Sequence, residues 1–387
     1  MNFVIISPHF PPNYHRFWKE LKQRGVNTLG IGEDSYDYLD QEVKDSLTAY
    51  YRVNSLNDYD QLYRACGYFT HQYGKIDRVE SHNEFWLELD ARLRTDYNVP
   101  GLKTADMYPI KYKSGMKPFF QKAGIATAAG ILLHSPNDAT EFIAAHGYPV
   151  IAKPDNGVGA YATYKLKNDQ ELETFLAEKL PVDYFLESFV SGTIHSFDGL
   201  TDQNGEIVIS SGLVYGVGVM ESVNESLDMF IYIPRIIHPK IVEAGKAALK
   251  IFGLKERFFH LEFFLTDNHE VIALELNARP PGGMIIDMIN YANEINAYQI
   301  YAEMITGKAC KATLDRPYNC FYLGRKNHFY YRYSTEDLAR KYSGQIVFHG
   351  PISPAFSAAM GDYAIIFRTK NLEEGLAIQR SAMEKII

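Results

Sequence analysis

The sequence predicts a protein of the α/β and α+β classes: an N-terminal Rossmann-like open sheet, then two α+β units facing each other across a cleft, then a C-terminal α+β subdomain packed on the second unit. Three observations carry this. The chain opens with a strand, loop, helix, strand succession; a strand ending in Lys153 runs into a glycine-bearing loop; and a late strand alternates Glu275, Asn277 and Arg279 with Leu274, Leu276 and Ala278.

In chain order, residues 3–6 (Phe-Val-Ile-Ile) form a strand, and Ser7-Pro8-His9-Phe10-Pro11-Pro12-Asn13-Tyr14 is a loop. An amphipathic helix with Phe17, Trp18 and Leu21 on one side then ends at Gly25. Residues 26–31 and 76–80 add strands, so residues 1–105 read as a small parallel sheet with covering helices. Ligands in such sheets sit at the carboxyl ends of the strands, which singles out the loop with His9 and the segment His82-Asn83-Glu84. Either histidine reads equally well as a locally bonded loop residue.

Residues 106–186 are rich in Lys and Gly. Ser135 caps a helix with Pro136 at its first position, Asp138 in its first turn and Gly147 at its end. A buried strand up to Lys153-Pro154, the loop Asp155-Asn156-Gly157-Val158-Gly159-Ala160, a strand over 161–166 and a helix over 169–179 capped by Asn168 complete an α+β unit. Residues 187–310 form a second unit, with strands near 195–200 and 206–213, a helix over 239–252 ended by Gly253, and the late hairpin. Residues 311–387 give mixed strands and a last helix near 372–385.

Composition narrows the function. The balance of 39 basic and 47 acidic residues, a net charge of −8 with no basic block, argues against nucleic acid or an anionic membrane as partner. Three cysteines, Cys66, Cys310 and Cys320, show no paired spacing and suggest neither disulfides nor zinc, which fits a reducing cytoplasm. No run of 18 apolar residues is present, and the first residues read as a strand rather than as a basic and then apolar signal segment. Small-molecule partners are the expectation.

The late hairpin carries the chemistry. Residues 259–265 precede it, and Thr266-Asp267-Asn268-His269 reads as a four-residue turn. With Leu265 paired to Glu270, Glu262 lies opposite Ala273 and diagonal to Glu275, both carboxylates on one face within roughly 8 Å. Leu274, Leu276 and Ala278 would pack behind. Two carboxylates and an amide oxygen suit Mg²⁺, or Mn²⁺ in its place, and paired ions about 4 Å apart are a recurring phosphoryl-transfer device. Arg279 would face the charge left uncovered. The plainer reading is the solvated face of an ordinary hairpin, which accounts poorly for Glu, Asn and Arg alternating ahead of Pro280-Pro281-Gly282-Gly283. Lys153 beside Gly157 and Gly159 sets a cation near backbone N–H groups that can approach a polyphosphate, although the Walker A spacing is absent. Lys113 is a second candidate cation; with Lys111 and Lys117 it reads most simply as a solvated helix face.

In order and spacing these pieces resemble the ATP-grasp superfamily of carboxylate ligases, over roughly residues 3–310. The resemblance rests on Lys113 before Ala123-Gly124-Ile125, on Lys153 before the glycine loop, and on Glu187-Ser188-Phe189-Val190-Ser191-Gly192, which matches the adenine-binding hinge. It ends on Glu262 followed by Glu275, Asn277 and Arg279. The resemblance implies an ATP-grasp fold whose two α+β units clasp ATP, with Lys113 and Lys153 on its phosphates, Gly157 and Gly159 beside them, and Glu187, Ser188, Phe189 and Val190 at the adenine. It also implies metal ions on Glu262, Glu275 and Asn277, with Arg279 stabilising an acyl phosphate. The family's ribose-binding Glu is replaced by Ile194, leaving the adjacent His195 as the candidate ribose contact with Asp198 downstream; on a strand, His195 reads first as a packed or locally bonded residue. The segment 215–221 reads as a mobile loop over the cleft or as a strand with two glycines.

The implied activity is ATP-dependent joining of a carboxylic acid to an amine, of the amino-acid ligase branch, through an acyl phosphate. The alternatives are a non-amine acceptor, or a non-catalytic ATP-binding regulator on the same fold. Dimers are common in the family, which makes a homodimer the default assembly.

Overall fold

The computed structural model describes residues 1–159, 161–216, 218–308 and 314–386, apart from the side chain of Glu221. Ala160 of the glycine loop, Val217 and Cys310 therefore lie outside the described residues.

The N-terminal strands pair in parallel because each returns through a helix or loop on the sheet's face. β1 (Asn2–Ile6), α1 (His15–Gln23), β2 (Asn27–Gly32), α2 (Gln41–Ser46), β3 (Ala49–Arg52), α3 (Tyr59–Tyr73), β4 (Arg78–Glu80) and α4 (Leu87–Asp96) follow in turn. The sheet order is β3-β2-β1-β4. β3 has no counterpart in the sequence reading; its Ala-Tyr-Tyr-Arg is too short to stand out. Because β1 is flanked by β2 on one side and β4 on the other, strand order reverses there, and the loops after β1 and β4 open at the same edge.

α5 (Met107–Lys111) and α6 (Lys113–Lys122) lead to β5 (Ala126–Thr127) and β6 (Gly130–Leu133). α7 (Pro136–His146) starts with the expected Ser135 capping box. β7 (Val150–Pro154), β8 (Tyr164–Leu166), α8 (Asp169–Glu178) and β9 (Tyr184–Ser188) complete a four-stranded antiparallel sheet of order β6-β9-β7-β8. One apolar layer under α7 and α8, from Phe142 to Leu186, fills its covered face.

The remaining strands form one large sheet. β10 (Thr193–Thr201), β11 (Ile207–Ser211), β12 (Val214–Tyr215), α9 (Val219–Asn224), β13 (Met229–Ile233), α10 (Pro239–Phe252), β14 (Arg257–Leu265), β15 (Val271–Asn277), α11 (Ile285–Asn293) and α12 (Ala297–Ile305) precede its last strands. These are β16 (Asn319–Arg325), β17 (Ile346–Pro351) and β18 (Tyr363–Thr369), interspersed with α13 (Thr335–Lys341), α14 (Ser357–Met360) and α15 (Leu372–Ala382). The path runs β17-β18-β16-β13-β12-β10-β14-β15-β5, so the strands after residue 314 extend the sheet that β10 to β15 begin. From Val219 onward the chain forms the short helix α9, where the sequence reading offered a loop or a strand.

Alternation on β10, β14 and β15 decides what faces the cleft. Phe197, Phe259, Leu261, Phe263, Ala273 and Leu276 pack on α6 and α10. Their neighbours Ser196, Asp198, His260, Glu262, Glu275 and Asn277 take the opposite face.

Candidate functional site

The hairpin register differs from the expected one by a bulge. Leu265 pairs with Val271 and Phe263 with Ala273, but beyond them Glu262 pairs with Glu275 and His260 with Asn277. Leu274 is the extra residue. The turn spans five residues: the Thr266 N–H donates to the Glu270 carbonyl (3.0 Å) and the His269 N–H to the Thr266 carbonyl (2.8 Å). His269 takes φ 59°, where a four-residue turn was expected. From that start, unbroken alternation would put Leu274 opposite Glu262 and turn Glu275 into the core. The bulge corrects the parity, so Leu274 and Glu275 both line the cleft, and Leu274 does not pack behind the strand as expected.

Behind Glu262 lies a polar relay on β10 and β14. Ser196 Oγ donates to Asp198 Oδ2 (2.6 Å), Asp198 Oδ1 meets His260 Nδ1 (2.5 Å), and His260 Nε2 lies 3.3 Å from Glu262 Oε1. Burial alone would lower the His260 pKa, but the carboxylates of Asp198 and Glu262 outweigh it and raise the value to about 10. Burial likewise opposes ionisation of Glu262, and the imidazolium more than offsets it. This relay was missed from sequence, although His-x-Glu on β14 beside Ser-x-Asp on β10 is a period-2 signal of one shared face.

Tyr112 is extended (φ −96°, ψ 129°), so α6 starts at Lys113 with its side chain aimed into the cleft. Lys113 Nζ donates to the Gly157 carbonyl (3.0 Å) and lies 3.6 Å from Glu275 Oε2. The N–H and Oγ of Ser114 donate to the Asp155 carboxylate (2.7 and 2.6 Å), fastening this helix start to the glycine loop. One turn on, Lys117 Nζ lies 2.9 Å from Glu187 Oε2, while Lys153 pairs with Glu187 Oε1. Burial opposes the Glu187 charge, and the two lysines hold its pKa below the usual carboxylate range. The expectation of a solvated lysine face is thus overturned. Lys111, Lys113 and Lys117 all turn inward, with Lys111 Nζ donating to the Glu84 carbonyl (2.6 Å).

Gly157, Gly159, Ser188, Phe189 and Val190 line the same cleft, of about 360 Å³. Gly159 sits at φ 65°, in the left-handed region that a side chain disfavours. The Ser188 N–H donates to the Ala129 carbonyl (2.9 Å), and the Phe189 ring lies 3.6 Å under Lys165 Nζ. Ile194 also lines the cleft; His195 does not. By alternation His195 takes the other face of β10, its ring 6.5 Å from that of His238, and burial, then His238, lower its pKa to about 4. This is the packed placement that a strand histidine suggests, turned away from the cleft that Ile194 lines.

Arg279 follows β15. Its Nη2 donates to Asn277 Oδ1 (3.3 Å), its Nη1 to the Pro280 carbonyl (2.9 Å), and its Nε lies 3.5 Å from Glu84 Oε2. Burial raises the Glu84 pKa against the pull of Arg279. Of the N-terminal candidates, Glu84 reaches this site. His9 instead pairs with Asp34 (3.2 Å), and His82 stacks on Trp18 (5.1 Å between centroids).

No cluster of three or more His, Cys, Asp or Glu side chains suited to a metal occurs among the described residues. The opposed Glu262 and Glu275 with Asn277 are a partial oxygen set facing an open cleft. That suits Mg²⁺, which keeps water and phosphate oxygens among its ligands, better than a closed cage would.

The model of a family described as ATP-grasp domain matches residues 146–287. The L-arginine-specific L-amino acid ligase of Bacillus subtilis is 25% identical over 248 residues, 58% of this chain and 57% of that protein. The carbamoyl phosphate synthase large chain of Clostridium acetobutylicum is 22% identical over 200 residues, 49% of this chain and 18% of that protein. The match thus spans less than two thirds of these relatives. Among solved structures, L-amino acid ligase from Bacillus licheniformis aligns with a TM-score of 0.76 at 16% identity, covering 100% of this chain and 98% of that one. N5-carboxyaminoimidazole synthetase from Staphylococcus aureus, complexed with ADP, gives 0.73 at 14% identity over 98% and 96%. At such identities the likeness establishes the fold. No helix among the described residues is long and apolar enough to cross a membrane.

Proposed function

We propose that this chain, which carries an ATP-grasp domain, is an ATP-dependent carboxylate–amine ligase that forms an amide, peptide-like bond and releases ADP and phosphate. A carboxylate oxygen of the acid attacks the γ-phosphorus, and the bond to ADP breaks. The amine then attacks the acyl carbon of the acyl phosphate, phosphate leaves, and the amine nitrogen loses a proton. Such transfer asks the protein for positioning and charge neutralisation more than for covalent help.

Lys113 and Lys153 would hold the α and β phosphates, with Gly157 and Gly159 offering backbone N–H groups. The hinge Glu187-Ser188-Phe189-Val190 would take the adenine. Lys117 would keep Glu187 paired when Lys153 turns to the nucleotide. Arg279, fixed between Asn277 and Glu84, would stabilise the acyl phosphate and the tetrahedral oxyanion. Glu262, Glu275 and Asn277 would hold Mg²⁺ or Mn²⁺, which when bound neutralises charge on the β and γ phosphates.

The observation that carries the reading is the direct opposition of Glu262 and Glu275, with Lys113 3.6 Å from Glu275, at one end of a cleft whose other end is the hinge. A pure binder has little use for such a set. The test is to incubate the chain with ATP and Mg²⁺ over a matrix of small acids and amines, reading ADP, phosphate and product mass. ADP formed only when acid and amine are both present supports the ligase; no turnover with any pair rejects it.

A further inference from the structure

We propose that the carboxylic acid this chain activates carries an uncharged, apolar body, an inference that rests on the ligase reading above. The acid must bring its carboxylate to the end of the cleft marked by Glu262, Glu275, Asn277 and Arg279. The same cleft is also walled by Met229 and Ile231 on β13, Ile285 at the start of α11, and Phe356, Ala359 and Met360 on and before α14. The two regions adjoin. Tyr215 pairs with Ile231 in the sheet, and its hydroxyl lies 3.4 Å from His260 Nε2, which touches Glu262.

This wall is held in place. Tyr322 Oη donates to the Met360 carbonyl (2.8 Å), and Lys326 Nζ donates to the carbonyls of Ser357 and Ala358 (2.6 and 2.9 Å). Phe356 stacks on Phe10 of the N-terminal loop, 5.5 Å between centroids. Met360 fills the space over Gly283: a Cβ there would meet Met360 Cε at 2.9 Å.

Among the described residues that line the cleft, every charged side chain belongs to the hinge, to the phosphate lysines, or to the group around Glu262, Glu275 and Arg279. A charged substrate group placed against Met229, Ile231 and Ile285 would lose its water and gain no partner. An aliphatic or aromatic group would lose unfavourable contact with water instead. Discrimination of at least about tenfold follows, because a site without a polar partner rejects a charge more strongly than it rejects one methylene too many or too few.

The experiment uses the full chain with ATP, Mg²⁺ and a fixed set of amines against acids matched in size: leucine-, phenylalanine- and methionine-like acids beside aspartate, glutamate, lysine and arginine. ADP release is read as kcat/KM, and the shift of the thermal midpoint with ADP and Mg²⁺ gives binding without turnover. Apolar acids are expected to exceed charged ones at least tenfold in kcat/KM and to give the larger midpoint shift at equal concentration. Ala359→Asp, on a partly exposed helix position, is expected to move the lysine-to-leucine ratio at least tenfold toward lysine. Turnover that prefers charged acids, or an unchanged ratio in a folded Ala359→Asp variant, overturns the inference while the ligase reading stands. Apolar acids that shift the midpoint without turnover on any pair support the apolar site and sink the ligase reading. Neither turnover nor a shift removes both.

Discussion

Glu262 and Glu275 face each other directly across the β14–β15 hairpin, and they do so because Leu274 is one residue too many for its strand. A bulge costs a ladder contact and is retained here at the point where two carboxylates must share a face. Replacing Glu262 or Glu275 by Gln keeps the shape and removes one charge. Each variant is expected to lose about 100-fold in kcat/KM and to need more Mg²⁺ for half-maximal rate. A Mg²⁺ titration of ADP release measures this; an unchanged metal requirement would remove the pair from the metal site.

Arg279 touches Asn277 and Glu84, and nothing in its position calls for it to hold the adenine or the α phosphate. Arg279→Ala is therefore expected to abolish ligation, by about 100-fold or more, while ATP binding stays within about threefold. Arg279→Lys should not restore activity, since a single ammonium cannot reproduce a planar fork. Near-normal turnover by the Ala variant on the true substrates would show that the role is wrongly assigned.

The element pattern was legible wherever capping and periodicity agree. Ser135-Pro136 and Gly253 mark helix ends that the structure keeps, and α10 occupies residues 239–252 as the spacing predicts. The Glu, Asn and Arg alternation likewise pointed to one face. The bulge at Leu274 was not legible, because no residue type demands an irregularity that tertiary pairing imposes. Lys117 was misread for a related reason. Lysines at 111, 113 and 117 look solvated until distant partners are brought beside them, for Lys117 the buried Glu187 seventy residues later. His195 turns from the cleft because adjacency to Ile194 in sequence means opposite faces on a strand.

Lys117 and Lys153 share the Glu187 carboxylate. If Lys153 turns to a phosphate, Lys117 alone keeps Glu187 from being a stranded buried charge. Lys117→Met is expected to weaken ATP binding about tenfold, or ~1.4 kcal/mol, with a smaller effect on kcat. Lys117→Arg should recover most of it. Calorimetric titration with a non-hydrolysable ATP analogue reads the difference; wild-type affinity in the Met variant would mean that Lys153 never leaves Glu187.

Glu80, at the end of β4, pairs with Arg257 on β14 and lies 3.1 Å from Arg94 on α4. Arg257 Nη1 also donates to the Ala278 carbonyl (2.9 Å), one residue before Arg279, so this buried network ties the N-terminal sheet to the end of the strand that carries Glu275 and Asn277. Glu80→Ala leaves two guanidinium groups buried without their carboxylate and is expected to cost about 3–5 kcal/mol. The midpoint of urea unfolding checks this. A shift equivalent to less than about 1 kcal/mol would show that water or Asp90 takes over the pairing.

His82 gives a stability dependence with a definite sign. Buried against Trp18, Phe17 and Tyr301, with its Nε2 unpartnered, it is pushed down from 6.5 to about 3, chiefly by burial. Between those values the unfolded chain binds a proton that the folded chain refuses. The contribution is full above pH 6.5 and drains away as pH falls toward 3, by up to about 1.4 kcal/mol per pH unit. From pH 7 to pH 5 that is about 2 kcal/mol. His82→Phe keeps a ring in the cluster and removes the titration, so its urea midpoint should fall less over this range than that of the wild type. Equal falls would mean that His82 takes up its proton in the folded chain as readily as in the unfolded one.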